Sequence, residues 1–228
     1  MSAYQAGLKL SAAGRHADAI AQYEAALSAQ PDDPKVLFAL GNTAQILGLA
    51  APAEQFFRKV LTLEPGRLEA LVSLANLLRA NGAPEAAITL LLPALVREPE
   101  SPELLLTLGS ACRERGDDAA AKSYFQQALA ARPDYVPALA NLAEIRGDEG
   151  DRQAARTLYD QALKLEPKNA QARLNRAVLH LLDGNLKDGW RDYAARTEIP
   201  GKVPATEQRS AAWTGRSAGF APRNRRSM

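Results

Sequence analysis

A chain of 228 residues, 46% hydrophobic and 24% charged, is long enough for one large domain or for a stacked array with a continuous core. Its formal net charge of +2 offers no overall attraction to nucleic acid or to an acidic membrane surface. A single cysteine, Cys112, allows no intrachain disulfide.

Two further features bear on location. No apolar run approaches the roughly 20 residues that span a bilayer. The start, Met1-Ser2-Ala3-Tyr4-Gln5, lacks the basic-then-apolar order of a secretion signal. The expected compartment is the cytoplasm, and no membrane association is expected.

A repeat organises the chain. Prolines recur every 34 residues, at Pro31, Pro65, Pro99, Pro133 and Pro167. Glycines keep the same spacing, at Gly14, Gly48, Gly82, Gly116, Gly150 and Gly184. Between these marks, apolar residues step by three and four in two blocks per unit, which is helix periodicity. Each glycine is expected to end a first helix in the left-handed conformation, and each proline to stop a second helix.

In chain order, the first unit covers about residues 1–33 and carries Ala19, Tyr23 and Leu27. The second, 34–67, opens with Asp33-Pro34, a cap followed by proline at the first helical position, and continues with Leu37, Leu40-Gly41, Ala53 and Phe57. The third, 68–101, has Leu74-Ala75, Ala87 and Leu91. The fourth, 102–135, repeats the cap at Ser101-Pro102 and carries Leu108-Gly109, Ala121 and Phe125. The fifth, 136–169, has Leu142-Ala143, Ala155 and Tyr159. A degenerate capping unit, 170–199, puts Arg173 and Arg176 in apolar columns and ends on Gly189-Trp190-Arg191-Asp192-Tyr193. The small residue of each second helix lets the two helices approach, and the bulky one four places on fills the space between units. Residues 200–228 hold six cations against Glu207 alone, a net +5 that leaves −3 for the rest, and are expected to form a basic, disordered tail.

This 34-residue pattern closely resembles the tetratricopeptide repeat. Leu37-x2-Leu40-Gly41, then Ala53-x3-Phe57, then Pro65 fills most of the family's consensus; leucine replaces its leading tryptophan and Ala44 its tyrosine. The resemblance implies an all-α fold, a right-handed superhelical solenoid of antiparallel helix pairs. It also implies a concave face built from the first helices that holds a protein or peptide. By register that face carries Lys35, Asn42, Gln45, Glu69, Ser73, Asn76, Arg79, Thr107, Ser110, Arg113, Asn141 and Asn175. Their amides and hydroxyls can satisfy the backbone of an extended ligand, and Arg79 and Arg113 would attract an acidic one. The carboxylate clamp of co-chaperone relatives is not matched, because its places hold Phe38, Asn42, Ser73, Glu103 and Thr107.

Catalysis is not expected. Phosphate-loop, dinucleotide, nucleophile-elbow and metalloprotease motifs are all missing, and so is any cofactor or metal motif. His16 and His180 lie at opposite ends of the array, His16 as a solvent residue and His180 in a mostly apolar column. Cys112 reads as a buried, inert thiol. The expected function is a non-enzymatic interaction scaffold for an extended peptide or protein segment. Nucleic acid is not an expected partner, and nothing in the sequence sets the oligomeric state. The alternative comes from the cap: Gly189-Trp190-x2-Tyr193-x2-Arg196 resembles the end of bacterial arrays that precede a glycosyltransferase domain of the O-linked N-acetylglucosamine transferase kind. On that reading the chain is the substrate-recognition region of a truncated or split enzyme whose catalytic domain is absent from it.

Overall fold

The computed structural model describes residues 1–198; the tail expected at 200–228 lies outside the described residues. Twelve α-helices and a closing 3-10 turn, Ala194–Glu198, make up these residues. The helices pair in chain order. α1 (Ala3–Ala12) pairs with α2 (His16–Ala29), α3 (Pro34–Ile46) with α4 (Ala50–Leu63), and α5 (Leu68–Ala80) with α6 (Pro84–Arg97). α7 (Pro102–Glu114) pairs with α8 (Asp118–Ala131), α9 (Val136–Asp148) with α10 (Arg152–Leu165), and α11 (Ala170–Leu182) with α12 (Leu186–Tyr193).

Local chemistry sets the helix ends. The Asp33 side chain accepts from the Lys35 N–H at 2.8 Å, and Pro34 occupies the first turn, where its missing donor costs nothing. Asp117, Asp151, Asn169 and Asn185 cap α8, α10, α11 and α12 in the same way. Between the helices of each pair the glycine column adopts positive φ, from +74° at Gly14 to +88° at Gly116. That turn disfavours a side chain, and it sends α2, α4 and their successors back along their partners.

Packing explains the small-residue columns. At Gly109 a Cβ would stand 2.5 Å from the Phe125 ring, and Gly41 meets Phe57 at 2.6 Å and Gly7 meets Tyr23 at 2.4 Å. The aromatic ring therefore lies flush on the backbone of its own unit's first helix. It also reaches onward: Phe125 shares one buried cluster with Leu104 and Leu108 of its unit and with Leu142 and Ile145 of the next. The core is thus a continuous strip through the stack, as a repeat array needs.

The stack has a sense of curvature. Consecutive first helices touch one another: α1 meets α3, α3 meets α5, α5 meets α7, α7 meets α9 and α9 meets α11. Among the described residues the backbones of consecutive second helices stay farther apart, with no Cα of one within 8 Å of the next. The array therefore bends toward its first helices, and they line the inner face.

Phe125→Ala should cost roughly 3–5 kcal/mol, the range for emptying a buried aromatic site. Gly109→Ala should also destabilise, by about 1–3 kcal/mol, because it drives a methyl into the same ring. Chemical denaturation followed by circular dichroism checks both. Since stability in such an array sums over neighbours, part of the loss should show as a broadened transition. A shift under about 1 kcal/mol for Phe125→Ala, well below that range, would refute this packing.

Candidate functional site

Three positions of each first helix border the inner face. One column runs Asn42, Asn76, Ser110, Glu144 and Val178; a second, three residues earlier, runs Ala39, Ser73, Thr107, Asn141 and Asn175. A third, three residues after the first, runs Gln45, Arg79, Arg113, Gly147 and Leu181. Residues three apart share a helix face, so the columns lie side by side.

The polar side chains divide by what they already bind. Asn76 Oδ1 accepts from Arg79 at 2.8 Å, which leaves its NH2 group for an incoming acceptor. Ser110 donates to the Leu106 carbonyl at 2.9 Å and keeps its lone pairs. Asn141 donates to the Pro137 carbonyl at 2.8 Å and keeps its own carbonyl oxygen. Asn42 and Ser73 are half-buried in the same columns, while Lys35 and Glu69 stand exposed at the starts of α3 and α5.

Several of the residues expected to meet a ligand are placed otherwise. Thr107 is buried, 3% exposed, and its hydroxyl donates to the Glu103 carbonyl 2.8 Å away, so it faces the core. A threonine can hide its one donor within its own helix, as Thr43 also does on Ala39. Asn175 is fully engaged: its amide donates to Glu144 Oε1 at 2.8 Å and to the Tyr159 hydroxyl at 3.2 Å, and its carbonyl accepts from Gln171 at 2.7 Å. Arg79 and Arg113 are not free cations either. Arg79 forks onto Glu114 of the next unit, at 3.0 and 2.6 Å. Arg113 forks onto Glu144 and onto Asp148, the latter at 2.9 Å. Burial works against the Arg113 charge, yet the two carboxylates hold its pKa above the ordinary value.

These pairs form a ladder between first helices, from α5 to α7 to α9, which Asn175 extends to α11. A second series braces the turn edge. Lys122 reaches Glu149 at 2.7 Å, and Arg156 reaches Asp183 at 2.6 Å. The histidines take no part in the ladder. His16 is half-buried at the start of α2, with its Nδ1 enclosed and unpaired among the described residues, so it is not a plain solvent residue. Cys112 is 3% exposed, and burial pushes its thiol pKa up, away from reactivity.

The ladder stops at Gly147. The two preceding units place an arginine there, and the unit after presents Val178 and Leu182 where Glu144 and Asp148 stood. A cleft of about 370 Å³ opens at this break, lined by Arg113, Glu144, Gly147, Asp148, Tyr159 and Asn175, with Val178, Leu179 and Leu182 as its apolar wall. Burial, opposed by the Asn175 hydrogen bond, raises the Tyr159 pKa, so its hydroxyl stays protonated near neutral pH. The sequence reading missed this cleft, although the glycine that interrupts an arginine column was there to be seen.

Among the described residues no three His, Cys, Asp or Glu side chains gather as a metal site, and no helix is long and apolar enough to cross a membrane.

If the ladder braces the stack, Arg113→Ala should lower stability by about 1 kcal/mol at low salt, because it also leaves Glu144 and Asp148 facing each other. The deficit should shrink as sodium chloride rises. Urea denaturation at two ionic strengths measures it; an unchanged midpoint at low salt would deny the ladder a stabilising role.

The comparisons agree with this architecture. A comparison with curated proteins finds no match. Among solved structures, TTC0263, a thermophilic TPR protein from Thermus thermophilus, is 28% identical, covering 78% of this chain and 97% of its own, with a TM-score of 0.66. PilW, a type IV pilus biogenesis factor, is 20% identical over 92% of this chain and 96% of its own, at a TM-score of 0.74. MamA is 22% identical over 83% and 98%, at 0.55. The family profile described as tetratricopeptide repeat matches residues 4–67, 72–136 and 140–201. With most of its length under that profile, and with the glycine turns and ring-on-backbone pairs seen here, the chain belongs to the tetratricopeptide-repeat family.

Proposed function

We propose that this chain is a non-catalytic interaction scaffold that lays an extended peptide or protein segment along its first-helix face. One observation carries the reading: Asn76, Ser110 and Asn141, on three consecutive units of the inner face, each keep a donor or acceptor unused. An extended backbone presents alternating donors and acceptors, and such a row can satisfy them. The ladder gives the row a braced floor, so little ordering is left for binding to supply. Arg79 and Arg113 belong to that floor in this reading, and the contact with the ligand falls to the amides and the serine. The reading calls for no cofactor or metal.

The exposed end favours a second reading. Leu182 and Trp190 are each 60% exposed and Leu186 58%, where the preceding unit carries Asp148, Arg156 and Arg152. An apolar end suits a neighbouring domain, and the Gly189-Trp190-x2-Tyr193 resemblance points to a glycosyltransferase. That reading expects the coding sequence after Met228 to specify a sugar-nucleotide-binding domain.

Affinity for the partner should fall about tenfold or more in the double variant Asn76→Ala, Asn141→Ala, since each neutral hydrogen bond contributes roughly 0.5–1.5 kcal/mol. Gln126→Ala, on the exposed side of α8, should leave it unchanged. The measurement is isothermal titration with a partner recovered from the native cell extract. Loss of affinity in Gln126→Ala with none in the asparagine pair would move the binding surface to the outer face and sink the proposal.

A further inference from the structure

We infer that the cleft at Gly147 is a subsite for one arginine or lysine side chain of the bound segment. The inference rests on the groove reading above and names the side-chain chemistry that one position of the groove selects.

Three observations converge on it. First, the opening is not needed for packing. A Cβ on Gly147 would find nothing nearer than Leu179 Cδ2 at 3.8 Å and Ala155 Cβ at 4.0 Å, whereas Gly109 and Gly41 are pressed by aromatic rings. The glycine therefore leaves space on the inner face where Arg79 and Arg113 stand in the two preceding units.

Second, the charge in the lining does not balance. Glu144 and Asp148 face the single guanidinium of Arg113, and no other cation lines the cleft. Asp148 uses Oδ2 for Arg113, and its side chain is 69% exposed at the mouth, with Oδ1 available to a further donor. Third, the opposite wall is apolar, formed by Val178, Leu179 and Leu182, with Val178 46% exposed. An acidic mouth beside an apolar wall matches a side chain with an aliphatic stem and a cationic head. A purely apolar side chain would leave Asp148 Oδ1 without a donor, and an acidic one would be repelled. A partner's arginine would stand where the chain's own arginine column is interrupted.

The test uses the whole chain and capped nine-residue peptides with degenerate flanks around one fixed central residue: Arg, Lys, Leu, Phe or Glu. Binding of each fluorescent pool is read by anisotropy at low salt. The Arg and Lys pools should bind about fivefold more tightly than the Glu pool, as one solvent-exposed ion pair allows. In Gly147→Arg, which fills the cleft from within the chain, that preference should vanish while the Leu and Phe pools bind as before. The substitution favours helix inside α9, so a thermal melt at or above the wild-type midpoint shows the fold intact. Asp148→Asn should reduce the preference without filling the cleft. Equal binding of the Arg and Glu pools, a preference that survives Gly147→Arg, or selection of Leu or Phe instead would each overturn the subsite while leaving the groove standing. Failure of every pool to bind the wild-type chain would overturn the groove reading, and the subsite with it.

Discussion

The backbone of α7 passes so close to the Phe125 ring that a methyl group on Gly109 would stand 2.5 Å from it. This approach within a helix pair governs much of the rest of the array. It fixes how α7 and α8 lean together, and thereby where the apolar edge of the pair meets Leu142 and Ile145 of the next unit. Where the pair carries Ala75 in place of glycine, the partner is the slimmer Leu91, which is fully buried without a ring. Where Ala143 faces Tyr159, the ring is retained, its hydroxyl takes the Asn175 hydrogen bond, and the cleft at Gly147 lies beside it.

From that geometry the inner face acquires two unlike stretches. Around α3 it carries Asn42, Gln45 and Lys35 with apolar Phe38, whose ring packs at 5.8 Å from Phe57 and beneath the Arg67 guanidinium. From α5 to α9 charged rungs tie each first helix to the next, and the Asn175 amide on Glu144 carries the link to α11. Individually, exposed pairs of this kind contribute little, because solvent screens them and two long side chains must be held still. Their geometry matters more here than their strength. Each rung fixes one first helix against its neighbour, so the amides and hydroxyls beside it keep a set spacing along the groove. A scaffold that binds an extended chain gains from such preorganisation, since the ordering is complete before the ligand arrives.

The parts of this structure that were legible in the sequence are those set by local rules repeated at a fixed period. The positive-φ glycines, the proline stops, the Asp33 and Ser101 caps and the small-against-large columns each depend on one residue's backbone or on contacts inside one helix pair. The ladder was not legible. Its partners stand 31 or 35 residues apart, and an arginine on a helix face looks the same in sequence whether it meets solvent, a ligand or the next unit's glutamate. Thr107 misled for a related reason: a hydroxyl that bonds its own helix can sit in the core like a small apolar group. His16 likewise looks like a turn residue by sequence, yet it is half-buried. Gly147 was hidden by its place one residue from the end of α9, where a glycine suggests a turn before it suggests a gap in a column.

The order of the rungs also bears on how such an array can grow or shrink. The fourth unit carries both halves of the device, Glu114 to receive the arginine of the unit before and Arg113 to reach the unit after. A tandem copy of that unit would set Arg113 of the first copy against Glu114 of the second, so a gene duplication there preserves the connection. Its deletion would bring Arg79 opposite Glu144 and Asp148, which is again a matched junction. Loss of the fifth unit is different, because it would leave Arg113 facing Val178 and Leu182, with no acid to receive it. The array thus has one segment through which its length can drift over evolutionary time, and an adjoining one whose place in the order is held by its neighbours' chemistry.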